Sequence, residues 1–113
     1  MDKPMPLTEA LFYILLSLGE PNHGYGVIQQ VSAMTGGRVV LGPGTLYGAI
    51  NALLERGWIS LYSEETDARK KKEYLRTAAG TQALTEEVAR LEELAQNARA
   101  YLKSDGREHH AQI

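Results

Sequence analysis

The pattern of apolar and polar positions predicts one helix most clearly, between Gly42 and Gly57. Its large apolar residues recur at helical spacing and define one buried face: Leu46, Ile50, Leu53 and Leu54. Pro43 suits the first helical position, and Gly57 suits the position just beyond a helix end. The opposite face is nearly free of bulky side chains and holds Gly44, Thr45, Gly48, Asn51, Ala52 and Glu55. Because surface helices usually carry long polar side chains, this bare face favours close approach by something large. A core helix with a small exposed face is the simpler alternative.

A first helix is predicted over residues 7–18, with Thr8 as its N-cap. One stripe has helical spacing: Leu7, Leu11, Ile14, Leu15 and Leu18. Phe12, Tyr13 and Leu16 lie outside that stripe, so the helix is apolar nearly all round and must be covered on all sides. We expect a second chain to supply part of this cover. A strand is the alternative interpretation of the same apolar run.

A second helix is predicted over residues 24–35, and residues 36–37 end it because glycine tolerates the left-handed backbone of helix ends. Its inward side chains are expected to be Val27, Ile28, Val31 and Met34. Residues 38–41 form a short run of β-type residues. Residues 58–63 and 72–76 contain aromatic and β-branched residues and flank a polar turn. This pattern predicts a hairpin. Helix, turn, helix and hairpin in this order are typical of a winged helix.

Thr77 suits the N-cap of a long last helix over residues 78–103. Its apolar residues are spaced by 4, 3, 4, 3 and 4 positions: Leu84, Val88, Leu91, Ala95, Ala98 and Leu102. This repeat is the seam of a coiled coil, widened by Leu94 and Tyr101. We expect a homodimer formed through this seam and the first helix, with packing on the first helix of the same chain as the alternative. The expected contacts are Leu11, Phe12, Leu15, Leu84, Val88, Leu91, Ala95, Ala98 and Leu102.

The chain length of 113 residues suits one compact unit that is mainly α with a small β-hairpin. We divide it into a winged helix-turn-helix domain over 1–77, a dimerisation helix over 78–103 and a fraying tail over 104–113. The absence of cysteine excludes disulfides and thiolate metal sites. No signal peptide is visible, and the longest apolar run, residues 10–16, is far too short to span a bilayer. We therefore expect a cytoplasmic protein without a membrane partner.

The net charge of −2 argues against a broadly basic nucleic-acid binder. The position of the cations matters more than their number, however. Five of them fall within eight residues that contain a single acid: Arg69, Lys70, Lys71, Lys72 and Arg76. The acidic pI slightly favours a winged helix that serves only as a protein–protein adaptor, whereas the basic cluster and the bare helix favour DNA binding.

Catalysis is not expected from this sequence. The histidines are His23, in a predicted turn, and His109 and His110, in the predicted tail. No nucleophile–histidine–carboxylate arrangement or phosphate-binding glycine loop can be built from these positions. No cofactor or metal is predicted either, since adjacent histidines on a loose tail make a poor metal site.

Four short blocks occur in a particular order. They are His23-Gly24-Tyr25-Gly26, then Gly44-Thr45-Leu46-Tyr47, then Glu55-Arg56-Gly57-Trp58-Ile59, and then Lys70-Lys71-Lys72 leading to Tyr74 and Thr77. By these blocks the chain resembles the PadR-like transcriptional regulators over about residues 5–103. The resemblance implies a homodimeric winged-helix repressor with a single C-terminal helix that crosses to the partner, as in the compact branch of the family. It also implies a small, often aromatic or drug-like effector that lowers DNA affinity.

Two positions depart from that resemblance. Many members carry an arginine where this chain has Gly48. The glycine cannot make the phosphate or base contact that an arginine would supply. Arg76 stands where leucine is common at the end of the wing strand, which leaves open how that strand faces the core.

The expected DNA contacts lie on the bare helix, at the start of the preceding helix and in the hairpin. They are Tyr25, Gly44, Thr45, Tyr47, Gly48, Asn51, Arg69, Lys70, Lys71 and Lys72. Thr45 and Tyr47 offer hydroxyls near the start of a helix that would lie in the major groove, and Asn51 can pair with adenine if it reaches. Tyr25 resembles a backbone-contacting tyrosine of the family, and the lysines would grip phosphates. Packing roles for the two tyrosines and a solvated strand edge for the lysines are the alternatives.

An effector cavity is the last expectation. Aromatic and small residues near the seam define it: Phe12, Tyr13, Ala95, Ala98 and Tyr101. Alanine on a coiled-coil seam fills little space, which favours an apolar void. Close approach of the helices without any void is the alternative.

Overall fold

The computed structural model describes residues 6–64 and 71–109. Within these residues, four helices and three short strands follow one another along the chain. They are α1 (Glu9–Ser17), β1 (Asn22–His23), α2 (Gly24–Met34), α3 (Pro43–Arg56), β2 (Ile59–Glu64), β3 (Lys72–Arg76) and α4 (Ala78–His109). The protein is therefore mainly helical with a small antiparallel sheet. The predicted order of helix, turn, helix and hairpin is confirmed.

Local signals explain where α1 and α3 begin and end. Thr8 is the N-cap of α1, since its side-chain oxygen accepts a hydrogen bond from the Leu11 N–H at 3.1 Å. An N-cap residue stands outside the helix, so α1 begins at Glu9 and not at residue 7. In α3, Pro43 occupies the first turn, and Gly57 ends the helix in the left-handed conformation at φ 74°. The bounds predicted for α3 are thus confirmed.

Helix α4 is longer than its sequence suggested. Thr77 precedes it, and the Thr77 hydroxyl accepts a hydrogen bond from the Gly80 N–H at 3.1 Å. The helix runs to His109, six residues beyond the predicted end at residue 103. Residues 104–109 contain no proline that would remove a backbone donor and break the helix. No helix in the described part of the chain combines the length and the apolar character that crossing a membrane requires.

The sheet has three strands in the order β1-β3-β2, all antiparallel. Tyr74 at the centre of β3 lies opposite Asn22 of β1 and Leu61 of β2, and a bulge follows Leu61. The hairpin is confirmed, but β1 was not predicted because two residues carry no periodicity. The β-type run at residues 38–41 is not a strand. In the described part of the chain no strand pairs with it, and Arg38 instead forms an ion pair with Glu9 of α1.

The core lies between α1, α2, α3 and the sheet. Its buried apolar residues are Ile14, Leu15, Leu18, Val27, Val31, Leu41, Leu46, Ile50, Leu53, Ile59, Tyr74 and Leu84. Each large aliphatic side chain buried in this way contributes about 1.5–3 kcal/mol relative to exposure. Most of the predicted inward residues belong to this core. Met34 is an exception: it is the last residue of α2, and its side chain is 38% exposed because the chain turns away from the core there.

Two residues expected at a dimer contact belong to this core instead. Leu15 of α1 is fully buried, and Leu84 of α4 is 6% exposed. Both side chains are covered by their own chain, because the first turns of α4 pack against α1 and β3. Neither presents a surface to a second copy, so their assignment as dimer contacts is corrected. The exposed part of the predicted seam begins at Val88.

Arg76 joins three elements at the end of β3. Its guanidinium donates to the Leu15 carbonyl oxygen at 2.8 Å and to the Thr81 hydroxyl at 2.9 Å. Its backbone N–H donates to the Leu18 carbonyl oxygen at 2.8 Å. Carbonyls at the end of a helix lack intrahelical partners, and a cation there also suits the helix dipole. The departure from leucine at this position is therefore explained: the side chain caps α1 and does not enter the core.

Candidate nucleic-acid interface

The N-terminus of α3 is exposed and carries no side-chain cap. Gly42 is the N-cap and has no side chain to accept from the first N–H groups, and Pro43 adds no donor. Gly44 and Thr45 follow, both exposed. Their N–H groups therefore point out of the helix end without an intrahelical partner. Together with the helix dipole, they make this end attractive to an anion such as a backbone phosphate.

Helix α2 shares this property, and the other two helices do not. His23 is the N-cap of α2 and makes no capping hydrogen bond through its side chain. Neither α2 nor α3 has an acid in its first turn. By contrast, α1 is capped by Thr8 and carries Glu9, and α4 has the Thr77 hydroxyl at its start. Among the described residues, the N-cap residues of both helices of the helix-turn-helix thus leave the N–H groups of the first turn without a side-chain cap.

A hollow of about 310 Å³ lies where α2, α3 and β3 meet. We call it the aromatic hollow, and its lining residues are His23, Gly24, Tyr25, Tyr47, Lys71, Lys72 and Tyr74. It combines phenol and imidazole groups with two ammonium groups and the start of α2. Every one of these groups can donate a hydrogen bond, so the hollow suits an acceptor-rich anion.

Two glycines of the His-Gly-Tyr-Gly block are required by close packing. A Cβ on Gly24 would collide with the Tyr47 hydroxyl and would lie 2.9 Å from its ring carbon Cζ. A Cβ on Gly26 would lie 2.8 Å from Cγ of Asn22, whose side-chain oxygen accepts from the His23 N–H at 2.9 Å. Gly24 therefore lets Tyr47 of α3 lie across the start of α2. Gly26 lets Asn22 hold the turn that enters α2.

Charge and protonation in the hollow favour donation to an anion. Lys71 is exposed, and Lys72 lies 3.9 Å from the Glu64 carboxylate across the hairpin. The nearby Glu73 carboxylate accepts a hydrogen bond from the Ser63 hydroxyl at 2.9 Å. Burial raises the pKa of Tyr74 above its ordinary value, and the neighbouring Tyr47 and Glu64 add to this shift. The Tyr74 phenol is therefore neutral at physiological pH and keeps its proton for donation.

The structure brings four of the predicted DNA contacts together around the hollow: Tyr25, Tyr47, Lys71 and Lys72. Tyr25 is 63% exposed and Tyr47 is 49% exposed, so both side chains are open to solvent while the Tyr47 hydroxyl also packs on Gly24. The remaining predicted residues of α3 are exposed along its outer face: Gly44, Thr45, Gly48 and Asn51. Arg69 and Lys70 lie outside the described residues.

Sequence reasoning missed two residues of this surface. His23 was treated as a turn residue and Tyr74 only as part of a family block, yet both line the hollow. The pairing of His23 with Glu73 in the sheet brings them together, and that pairing is a long-range contact. The signal that could have found them is the His-Gly-Tyr-Gly block itself, because adjacent glycines mark close approach of other groups.

A second groove, of about 280 Å³, lies between α1 and α4. Its lining residues are Leu7, Glu9, Phe12, Tyr13, Glu87, Arg90 and Leu91. Phe12 and Tyr13, both predicted for an effector cavity, meet edge to face with ring centroids 5.5 Å apart. The other three predicted residues, Ala95, Ala98 and Tyr101, do not line the groove, because α4 extends beyond α1 before it reaches them.

Glu87 forms the floor of this groove and ties the N-terminal segment to α4. Its nearly buried carboxylate accepts from the Leu7 N–H at 3.0 Å and from Arg90 at 2.7 and 2.8 Å. The hydrogen bonds from Arg90 hold the pKa of Glu87 below its ordinary value, with a smaller contribution from Leu7, against the opposing effect of burial. The carboxylate is therefore charged at neutral pH and fully engaged.

Known structures share this fold. A transcriptional regulator from Clostridium thermocellum superposes with a TM-score of 0.72 at 21% identity, over 80% of this chain and 90% of that chain. A PadR family transcriptional regulator from Eggerthella lenta gives 0.71 at 24% identity, over 82% and 80%. A PadR-like transcription factor from Bacteroides fragilis gives 0.71 at 26% identity, over 81% and 88%.

The sequence itself matches a family. No curated protein matches the chain significantly. The sequence model described as the transcriptional regulator PadR-like family, in contrast, matches residues 13–86, which include α2, α3, the hairpin and the start of α4. The family model and the structural neighbours are described as transcriptional regulators. The chain belongs to the PadR-like family of transcriptional regulators.

Proposed function

We propose that this DNA-binding regulator is a sequence-specific repressor that acts as a homodimer and is released from DNA by a small molecule. The observation that supports DNA binding most directly is the aromatic hollow beside the uncapped start of α3. Hydroxyl, ammonium and N–H donors converge there from α2, α3 and β3. Such a set of donors fits the phosphate oxygens along one stretch of backbone.

In this proposal α3 enters the major groove with its N-terminal end foremost. The exposed face of α3 has almost no bulky side chains, so the helix backbone can approach the bases closely. Thr45 offers a hydroxyl and a methyl group to base edges, and Asn51 is placed about one and two-thirds turns later for an adenine. Gly48 leaves a gap where many members carry arginine. We therefore expect modest direct readout, with sequence-dependent DNA shape supplying part of the specificity.

Phosphate contacts would position the protein on the duplex. Tyr25 stands at the start of α2 and Tyr47 lies across it, so both hydroxyls face the same hollow. Lys71 and Lys72 approach this hollow from the wing. Contacts of this kind raise affinity for all sequences alike, because phosphates are the same at every base pair.

Dimerisation is supported by the apolar surface that remains exposed on α4 beyond its contact with α1. Val88, Leu91, Leu94 and Leu102 are all at least 38% exposed in the single chain. A row of exposed leucines at coiled-coil spacing is typical of a helix that packs on another copy. Leu11 and Phe12 of α1 are half-buried, and Phe12 lines the groove together with Leu91 of α4.

The effector proposal rests on the groove between α1 and α4. Phe12, Tyr13 and Leu91 supply an apolar wall, and Glu87 and Arg90 supply polar groups. A second chain packed on the exposed part of α4 would cover the open side of this groove. An aromatic ligand bound there would then contact both copies and change their relative position. We test this with a panel of planar aromatic compounds, which should release the protein from DNA. Tyr13→Ala, which removes a groove wall outside the expected dimer contacts, should abolish the release without loss of DNA binding.

A genome-wide selection of bound DNA tests the function. We expect one recurring, partly symmetric motif that includes the upstream region of the protein's own gene, because a symmetric dimer recognises two half-sites. Fusion of that region to a reporter should give lower expression with the protein present than without it. Recovery of no motif by an intact, dimeric protein would favour the adaptor interpretation. Higher expression with the protein present would contradict repression.

A further inference from the structure

The end of α3 that is proposed to enter the major groove is almost entirely apolar. From residue 40 to residue 50, the side chains that can form a hydrogen bond are Thr45 and Tyr47, and Tyr47 lies in the aromatic hollow. This end of α3 therefore offers few donors and acceptors to base edges. What it exposes instead are Val40, Pro43 and Thr45, which carries a methyl group.

We propose that these apolar groups recognise the C5-methyl groups of thymines in the major groove. The thymine methyl is the one alkyl group that the standard base pairs present there, and the other groups are hydrogen-bond donors and acceptors. A guanine or cytosine at the same place would leave polar groups desolvated without a partner. This inference rests on the proposed function and names the feature of the bases that α3 reads.

The residues on both sides of Val40 hold its side chain in solvent. Val40 is 73% exposed, whereas the next residue, Leu41, is 6% exposed and belongs to the core. On the other side, the Val39 N–H donates to the Thr35 hydroxyl at 3.0 Å, and Arg38 forms its ion pair with α1. Because the segment is anchored before and after Val40, this side chain projects from a defined place on the surface.

Val40 also lies close to the start of α3. It precedes the N-cap residue Gly42 by two positions, so the two Cα atoms are at most about 7 Å apart. Pro43 and Thr45 follow in the first turn of α3. Gly44 adds no side chain that would keep a base away from them. The three apolar groups are thus placed together at the helix end that would meet the bases.

Deoxyuridine tests the inference directly, because it differs from thymidine only in lacking the C5-methyl group. We would replace each thymine of the operator recovered by the DNA selection with dU, one position at a time, and measure fluorescence anisotropy. At the contacted positions the wild-type protein should bind about fourfold more weakly, as expected for the loss of one buried methyl group. Equal affinity for dT and dU at every position, with specific binding intact, would overturn the inference and leave the proposed function in place.

Val40→Ala is the matched protein variant. Because the side chain is exposed, the urea midpoint should stay at the wild-type value. The variant should lose most of the dU effect at one position in each half-site, whereas Val40→Ile keeps the apolar surface and should retain the effect. A dU effect that arises from altered DNA shape would be the same in all three proteins and would contradict the role of Val40.

Thr45→Ser separates the methyl group of Thr45 from its hydroxyl, because serine keeps only the hydroxyl. This variant should lose the dU effect at a second position and should bind the dU duplex as tightly as the wild type does. A Thr45→Ser chain that kept every dU effect would overturn the role of this methyl group. A wild-type protein without any sequence preference would instead remove both the proposed function and this inference.

Discussion

At the scale of single residues, Arg76 shows how a departure from a family pattern can stabilise the fold. One side chain bonds the end of α1 and the first turn of α4, while its backbone continues the wing strand. In the sequence, Arg76 is conspicuous because leucine is common at this position in the family. The sequence could not show that the guanidinium turns toward the α1 carbonyls, because that contact joins residues 61 positions apart.

Replacing Arg76 with leucine should therefore destabilise the protein. We expect a loss of about 2 kcal/mol in the free energy of unfolding, since hydrogen bonds to a charged group contribute about 1.5–3 kcal/mol. Arg76→Lys is the matched control: it keeps the charge but cannot bond Leu15 and Thr81 together, so it should recover part of the loss. Urea denaturation measures both. Wild-type stability in Arg76→Leu would contradict the capping role.

Two helical glycines should respond in opposite directions to the same substitution. A Cβ on Gly80 would lie 2.9 Å from the backbone carbon of Trp58, so Gly80→Ala should cost about 2 kcal/mol through overpacking. Gly48 has nothing within 4 Å of a Cβ, so Gly48→Ala should stabilise the protein by about 0.5–1 kcal/mol. Thermal unfolding of the two variants measures the contrast. Equal shifts of the melting temperature would argue against the packing of α4 on the turn before β2.

The Glu87 carboxylate makes the stability depend on pH. Its pKa is lowered in the folded protein, so the unfolded chain binds more protons between the two pKa values. The contribution is fully present above the ordinary glutamate pKa of about 4.3 and is lost as pH falls through the lower folded value. Urea midpoints measured from pH 7 to pH 3 should therefore fall less steeply for Glu87→Gln than for the wild type. Parallel curves would show that Glu87 carries no such contribution.

At the scale of elements, sequence signals worked where they were local and failed where structure depends on distant partners. Pro43 and Gly57 defined α3 to the residue, because both act on their own backbone. Residues 38–41 have β-type composition but remain without a strand, since β propensity needs a neighbouring strand on which to pack. β1 exists only because Asn22 and His23 meet β3 from far along the chain.

The wing and α3 should affect DNA binding in different ways. Lys71→Ala combined with Lys72→Ala should weaken binding to all sequences alike and make the log–log salt slope of a dimer shallower by about 3–4, since four cations are removed. Thr45→Ala should change the preferred base at one position, with a loss of about 1–3 kcal/mol in discrimination against the other bases. Lys103→Ala, on the exposed far part of α4, is the control for loss of positive charge. A lysine variant that changed only the base preference would reverse these assignments.

At the scale of the whole molecule, the candidate surfaces lie on different elements. The aromatic hollow is built from α2, α3 and β3, whereas the exposed seam and the groove belong to α1 and α4. The sequence predicted most members of the hollow, because the family blocks contain them. It assigned Leu15 and Leu84 to a dimer seam, because helical spacing alone cannot separate a stripe covered by its own chain from one that stays exposed.

Fluorescence anisotropy between 50 and 200 mM salt measures how tightly and how specifically the protein binds the upstream DNA of its own gene. About three or four cations from each subunit of a dimer would neutralise about 6–8 phosphates. We expect specific binding with a log–log salt slope of about −5 to −7. An affinity that stays flat across this range, or that does not distinguish this DNA from random DNA, would contradict it.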